Sequence, residues 1–272
     1  MRIWLCFICF LILSGCRSSH RERVRIIEQK NQIVEEETIE KESVRQFVSL
    51  PVYTETGDLM ISHKAYDLSF SKEWKLARWV QYVLTAEHTT GNVKRDSRFY
   101  EDPKLDRNLR IYSNEFKGTG WTRGHLAPAG DFKWDETAMM ESCYMTNICP
   151  QAGNLNGRYW ERIERKCREW AKKEGVVTIV TGPIITSKNP ERIGPHSVAL
   201  PESFFKCVLS LKKGHEKCIA FIYLNIESPQ RMEDCIKTVD EVELITGLDL
   251  FSSLPDDVEN RIESISNLNN WP

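Results

Sequence analysis

One short segment, GTGWTRGHLAPAGDFKW at residues 118–134, sets an Arg and a His two positions apart between glycines and tryptophans. Such a pair suits phosphate chemistry. Arg123 presents a planar fork of N–H donors that matches phosphate oxygens. His125, with an ordinary pKa of about 6.5, can take a proton from water at neutral pH. Gly120, Gly124 and Gly130 permit backbone paths that bring both side chains close to a ligand. The chain has six His, and only His125 has such surroundings. The same residues are also compatible with a plain turn whose His is satisfied by backbone groups.

A second set lies downstream. Asn156, Trp160, Glu164 and Arg168 recur every four residues, which lines them up along one side of a helix. Asn156 offers a carbonyl oxygen to a hard cation, and Glu164 offers a carboxylate to the waters of that cation. The competing reading is a surface row with an Arg–Glu pair. The preceding stretch MTNICPQAGNLN supplies Asn147 and Gln151 in a loop leading into the helix.

These residues need elements to hold them. The segment NLNGRYWERIERKCREWAKKEG predicts a helix from about Asn154, with Leu155, Tyr159, Ile163, Cys167 and Trp170 as its apolar stripe. Lys172 and Lys173 sit near its end, and Gly175 stops it. LARWVQYVLT and VVTIVTGP read as strands, and FFKCVLSLKKGHEKCIAFIYL reads as a hairpin around a Lys-Lys-Gly turn. Residues 87–103 are polar and loop-like. Short helices are predicted over 135–143, over 229–246 and from Asp256. Strands and helices mix without regular βαβ alternation, so the class is α+β.

RGHLAPAGDFKW, YMTNICPQAGNLNGRYWERIERKCR, VTGP and VALPESFFKCVL, in this order, resemble the DNA/RNA non-specific endonucleases, the endonuclease G and secreted bacterial nuclease group. The resemblance covers most of residues 76–251. It implies the ββα-metal (His-Me finger) fold, with a mixed, mainly antiparallel central sheet flanked by helices. It implies His125 as general base and Asn156 as protein ligand to one Mg²⁺, with Mn²⁺ as a substitute. Glu164 would hold a water of that ion, Arg123 would neutralise phosphate, and Asn147 would position groups near the His. Arg95 or Arg98 would also reach the phosphate. The implied substrates are DNA and RNA, read without base contacts and so with weak sequence preference. A homodimer is compatible with the resemblance, and no protein partner is implied. The chain departs from the family pattern at Thr122, where Asp usually precedes Arg-Gly-His; loss of that carboxylate would lower Mg²⁺ affinity or rate. A catalytically weak lipoprotein that binds nucleic acid on this fold is the alternative, and a phosphodiesterase of small substrates is a third reading.

The 272 residues are 41% hydrophobic and 28% charged with a formal net charge of −2, which excludes a membrane bundle and a chain with an overall basic field. MRIWLCFICFLILSGC begins with one Arg and a short apolar run too brief to span a bilayer. Leu13-Ser14-Gly15-Cys16 resembles a bacterial lipoprotein box, the alternatives being an ordinary signal peptide or an uncleaved anchor. The expected organisation is a leader over 1–15, lipidated Cys16 with a charged spacer or linker over 16–46, and a nuclease domain over 47–272. The expected address is an exported lipoprotein at a bacterial membrane, periplasmic or on the cell surface, with the outer membrane favoured by Arg17. Six of nine Cys fall within the domain, and Cys207 with Cys218 is the best disulfide pair across the predicted hairpin. No Cys/His spacing suggests structural zinc.

Overall fold

The computed structural model describes residue 27, residues 48–53 and residues 57–271. The expected leader, Cys16 and the spacer apart from Ile27 lie outside these. The chain divides into residues 1–47 and residues 48–272, and the account below concerns the second unit. No helix among the described residues is long and apolar enough to cross a membrane.

The principal elements run β1 (Leu59–Ser62), β2 (Asp67–Ser71), β3 (Leu76–Thr85), β4 (Thr122–His125), α1 (Glu136–Ser142), β5 (Ile148–Gln151) and α2 (Glu161–Glu174). They continue with β6 (Val176–Ile184), β7 (Ser203–Ser210), β8 (Lys217–Leu224), β9 (Ile236–Lys237), α3 (Val239–Thr246) and α4 (Asp256–Glu263). Seven strands form one sheet in the order β9-β8-β7-β6-β3-β2-β1, and each neighbouring pair is antiparallel. The expected α+β class with an antiparallel central sheet flanked by helices is the observed one.

The period of two along the strands sends alternate side chains to opposite faces. In β7, Phe204 and Val208 enter the core shared with α2, whereas Phe205, Cys207 and Leu209 enter the core shared with α3 and α4. Lys206 has the parity of Phe204 and is fully buried on the α2 side. α2 closes that face through Ile163, Cys167 and Trp170, all buried, and ends at Gly175 with φ +89°. The turns leading into it, Leu155–Trp160, are π-helical, a widening frequent at functional sites.

Three expectations need correction. β1 and β2 are absent from the sequence reading, because Asp58, Asp67, Ser69 and Ser71 mask their alternation; Asp58 instead pairs with Arg78 of β3 at 2.6 Å. The predicted helix over 229–246 is shorter. A 3₁₀ turn at Met232–Cys235 and edge strand β9 come first, and α3 starts where Thr238 and Glu241 form a reciprocal capping box. The β7–β8 hairpin forms, but its register sets Cys207 against Ala220 and Cys218 against Leu209. Diagonal neighbours on one face stand roughly 7–8 Å apart, beyond the roughly 4 Å between Cβ atoms that a disulfide needs. Both thiols are free, as are Cys143, Cys149, Cys167 and Cys235.

Candidate active site

β4 and β5 pair as a small antiparallel unit with Thr122 opposite Gln151, Arg123 opposite Pro150, Gly124 opposite Cys149 and His125 opposite Ile148. Gly124 is required by close approach. A Cβ there would lie 1.8 Å from Gln151 Oε1, so any other residue would have to displace the Gln151 side chain packed over it. The chain then runs from β5 directly into the π-helical turns and α2, giving a ββα unit.

Side chains from the helix tie it to β4. Trp160, fully buried, donates Nε1–H to the His125 carbonyl at 3.0 Å. Asn156 Nδ2 donates to Thr122 Oγ1 at 3.0 Å and approaches the Arg123 carbonyl at 3.4 Å. Thr122 Oγ1 in turn donates its own proton to the Gln151 carbonyl at 2.8 Å. This fixes the orientation of the Asn156 amide on chemical grounds. A hydroxyl already donating to a carbonyl can only accept from its other neighbour, and the Arg123 carbonyl also only accepts. The amide nitrogen must therefore face β4, and Oδ1 faces away without a hydrogen bond within the described residues. A neutral carbonyl oxygen held free at the mouth of a ββα unit fits a hard divalent cation that keeps most of its waters. Thr122, which replaces the carboxylate of the family pattern, has a defined task here: its hydroxyl bridges strand to helix and sets that oxygen.

His125 is 6% exposed, and its Nε2 is enclosed without a hydrogen-bond partner. Burial, with the nearby Arg95 charge added, lowers its pKa to about 3. The imidazole is thus neutral across the physiological range, with a lone pair available. Arg95 is exposed and close enough to act on His125, whereas Arg98 is turned to Asp96 at 3.0 Å. Of the two candidate arginines, it is Arg95 whose charge bears on His125. Arg123 is exposed, lies over the Phe99 ring at 4.9 Å and spends one N–H on the Ser113 carbonyl, leaving the rest of its fork open.

Asn147 plays a different part from the other candidates. It is fully buried; its Oδ1 accepts from Ala127 N at 2.9 Å, and its Nδ2 donates to the carbonyls of Ala127 and Ser142 at 2.8 Å each. All its polar capacity goes into holding the chain that follows His125, so it is a positioning residue. Behind the helix row lies a charged layer that the sequence did not suggest. Arg168 pairs with buried Asp131 at 2.7 Å, and Tyr82 donates to the same carboxylate at 3.0 Å. The Arg–Glu pair of the competing reading is therefore not formed. Lys206 Nζ sits over the Trp160 ring at 4.7 Å and donates to the Leu126 carbonyl at 3.3 Å. The trace it leaves in the sequence is a Lys within the apolar run SFFKCVLS of β7.

Glu164 keeps some contact with solvent, yet the protein around it pushes its carboxyl up to about 8, burial acting first and Lys206 opposing. The carboxyl is protonated at neutral pH when no cation is present. A folded pKa above the unfolded value gives stability that is complete below about pH 4.5 and is lost as pH rises through about 8. Glu164→Gln removes the titrating proton. In EDTA, the variant is expected to be more stable than wild type by about 1–2 kcal/mol at pH 8.5 and equal to it near pH 4.5, as read by thermal unfolding. Equal stability at both pH values would contradict this.

The comparisons with known proteins agree with this geometry. The family model described as DNA/RNA non-specific endonuclease matches residues 46–257. The chain is 31% identical over 217 residues to a nuclease named EXOG, mitochondrial, of Xenopus laevis, covering 74% of this chain and 61% of that protein. It is 32% identical over 219 residues to Nuclease 1, mitochondrial, of Schizosaccharomyces pombe, covering 73% and 67% respectively. The crystal structure of the EndoG/EndoGI complex contains a chain that superposes with a TM-score of 0.69 at 25% identity, covering 74% of this chain and 88% of that one. The names of the frog and yeast relatives overturn one expectation. Both are mitochondrial nucleases, so the address of an exported lipoprotein at a bacterial membrane does not stand. With the family model spanning most of the chain and the ββα unit in place, the chain belongs to the DNA/RNA non-specific endonuclease family.

Proposed function

We propose that this protein is a divalent-metal-dependent endonuclease that hydrolyses phosphodiester bonds of DNA and RNA. One observation carries the reading: Thr122 turns the Asn156 amide so that Oδ1 is free beside a β4 strand ending in neutral, enclosed His125. Asn156 Oδ1 would hold the cation, with Mg²⁺ the natural ion and Mn²⁺ a substitute. When bound, such an ion polarises the phosphoryl group and offsets charge on the leaving oxygen.

The residues of the chain divide the remaining work. His125 accepts the proton of the attacking water. Its Nε2 is enclosed, so exchange with solvent falls to Nδ1. A pKa of about 3 in the free protein makes a weak base. The phosphodiester charge works against burial and the Arg95 charge, and raises its basicity once substrate is in place. Arg123 and Arg95 bind non-bridging phosphate oxygens and orient the phosphorus for in-line attack. Glu164 would accept hydrogen bonds from waters in the cleft. None of these groups reads a base edge, so the reading predicts cleavage with weak sequence preference on both polymers.

Metal removal tests this reading. Purified protein with Mg²⁺ is expected to degrade plasmid DNA and a structured RNA, excess EDTA to stop both, and re-added Mg²⁺ to restore both. Cleavage that continues in EDTA at the same rate would end it.

A further inference from the structure

On the sheet face opposite the ββα unit, α3 and α4 bring three carboxylates together. Asp240 and Glu243, one turn apart on α3, and Glu263 at the end of α4 each offer an oxygen, and these oxygens lie within 4.8 Å of one another. Asp240 is exposed, Glu243 half-buried and Glu263 buried at 3% exposure, so the cluster runs from the surface inwards. An acidic cluster alone says little. The second observation is the state of Glu263: its Oε1 is enclosed and has no hydrogen-bond partner. None of the three has a basic partner among the described residues. The charged groups that act most strongly on Glu263 are Glu243, Glu259, Asp240 and Asp249, every one acidic. A buried, unpartnered carboxylate is costly, and either a proton or a cation relieves that cost. At Asp131 the cation is Arg168.

We infer that Asp240, Glu243 and Glu263 form a second divalent-cation site, structural and separate from Asn156, that takes a hard ion of Ca²⁺ size. The donors are all oxygens, which excludes soft metals on chemical grounds. Three carboxylates suit Ca²⁺, which takes many protein oxygens in a flexible shell, better than Mg²⁺, which keeps most of its waters and takes one or two carboxylates. Glu243 already receives Leu250 N–H at 2.5 Å on one oxygen, which orients the carboxylate and leaves the other for the ion. Such an ion clamps α3 to α4 over β8, so it stabilises the fold and takes no part in cleavage.

The site is tested in the full chain carrying Asn156→Ala, which silences the proposed catalytic ion. Chelator-treated protein is titrated with Ca²⁺, Mg²⁺ and Mn²⁺ separately by calorimetry, and Tm is followed against ion concentration. One Ca²⁺ per chain is expected, with a Tm that climbs as Ca²⁺ is raised. Both responses are expected to vanish in Glu263→Gln and in Asp240→Asn. The second variant changes only an exposed side chain, so a folding defect cannot mimic its result, and circular dichroism checks the first. No Ca²⁺ binding by the parent would overturn the inference, as would binding that survives either variant or a preference for Mg²⁺ over Ca²⁺.

Discussion

His125→Ala is expected to lower the rate of phosphodiester cleavage by about 10²–10⁴-fold, the range supplied by a positioned general base. The loss falls on kcat, because His125 is enclosed behind the Phe99 ring, at 5.5 Å between centroids, and contributes little contact area to a polymer. Metal affinity, measured by calorimetry with Mn²⁺, should stay within a few-fold of wild type, since the imidazole is no ligand. The fold should survive. Trp160 donates to the His125 backbone carbonyl, and a substitution at the side chain leaves that bond in place. The pH profile separates a base from a structural His. Imidazole added to His125→Ala or His125→Gly is expected to restore part of the activity, more strongly as pH rises through the pKa of free imidazole. A rate unchanged in His125→Ala, or lost together with metal binding, would remove His125 from the role of base.

Much of this site was legible in the residues, and the reason is physical. The four-residue repeat of Asn156, Trp160, Glu164 and Arg168 is a statement about one side of a helix, and three of the four do reach the β4 side or the loop after it. Strands such as β3 and β6 are almost wholly buried, so their apolar runs announce them. What escaped depended on partners far away in sequence. Lys206 looks like an interruption of β7 until Trp160 and Leu126 are brought beside it. Asp58 hides the start of the sheet because its charge is neutralised by Arg78. Cys207 and Cys218 misled because composition fixes that a hairpin forms, while register is set by the turn and by the pairing with β6. Thr122 is the sharpest case. A missing carboxylate is visible in the sequence, but the substitute function of a hydroxyl requires knowing that the Gln151 carbonyl and the Asn156 amide lie on either side of it.

Asn156→Ala is expected to lower activity by 10²-fold or more, on the order of several kcal/mol of lost electrostatic stabilisation, and to weaken Mn²⁺ binding in parallel. Raised metal concentration should recover part of the rate, which it cannot do for His125→Ala. The orientation argument makes a finer demand. Oδ1 is free only because Thr122 Oγ1 accepts from Nδ2 while donating to Gln151. Thr122→Val keeps the shape and removes the hydroxyl, so the amide loses its preferred face and the Gln151 carbonyl loses a donor. The expected result is a metal affinity weakened by about 10–100-fold, the scale seen when a group supporting a ligand is removed, with Thr122→Ser close to wild type. Thr122→Asp is the discriminating variant. Its carboxylate can still accept from Asn156, but facing the Gln151 carbonyl it repels where the hydroxyl donated. Metal affinity should hold while the β4–β5 pairing loosens, seen as a lower Tm in EDTA. If Thr122→Val binds Mn²⁺ as wild type does, the hydroxyl does not set the Asn156 amide, and the free oxygen must be held by the helix alone.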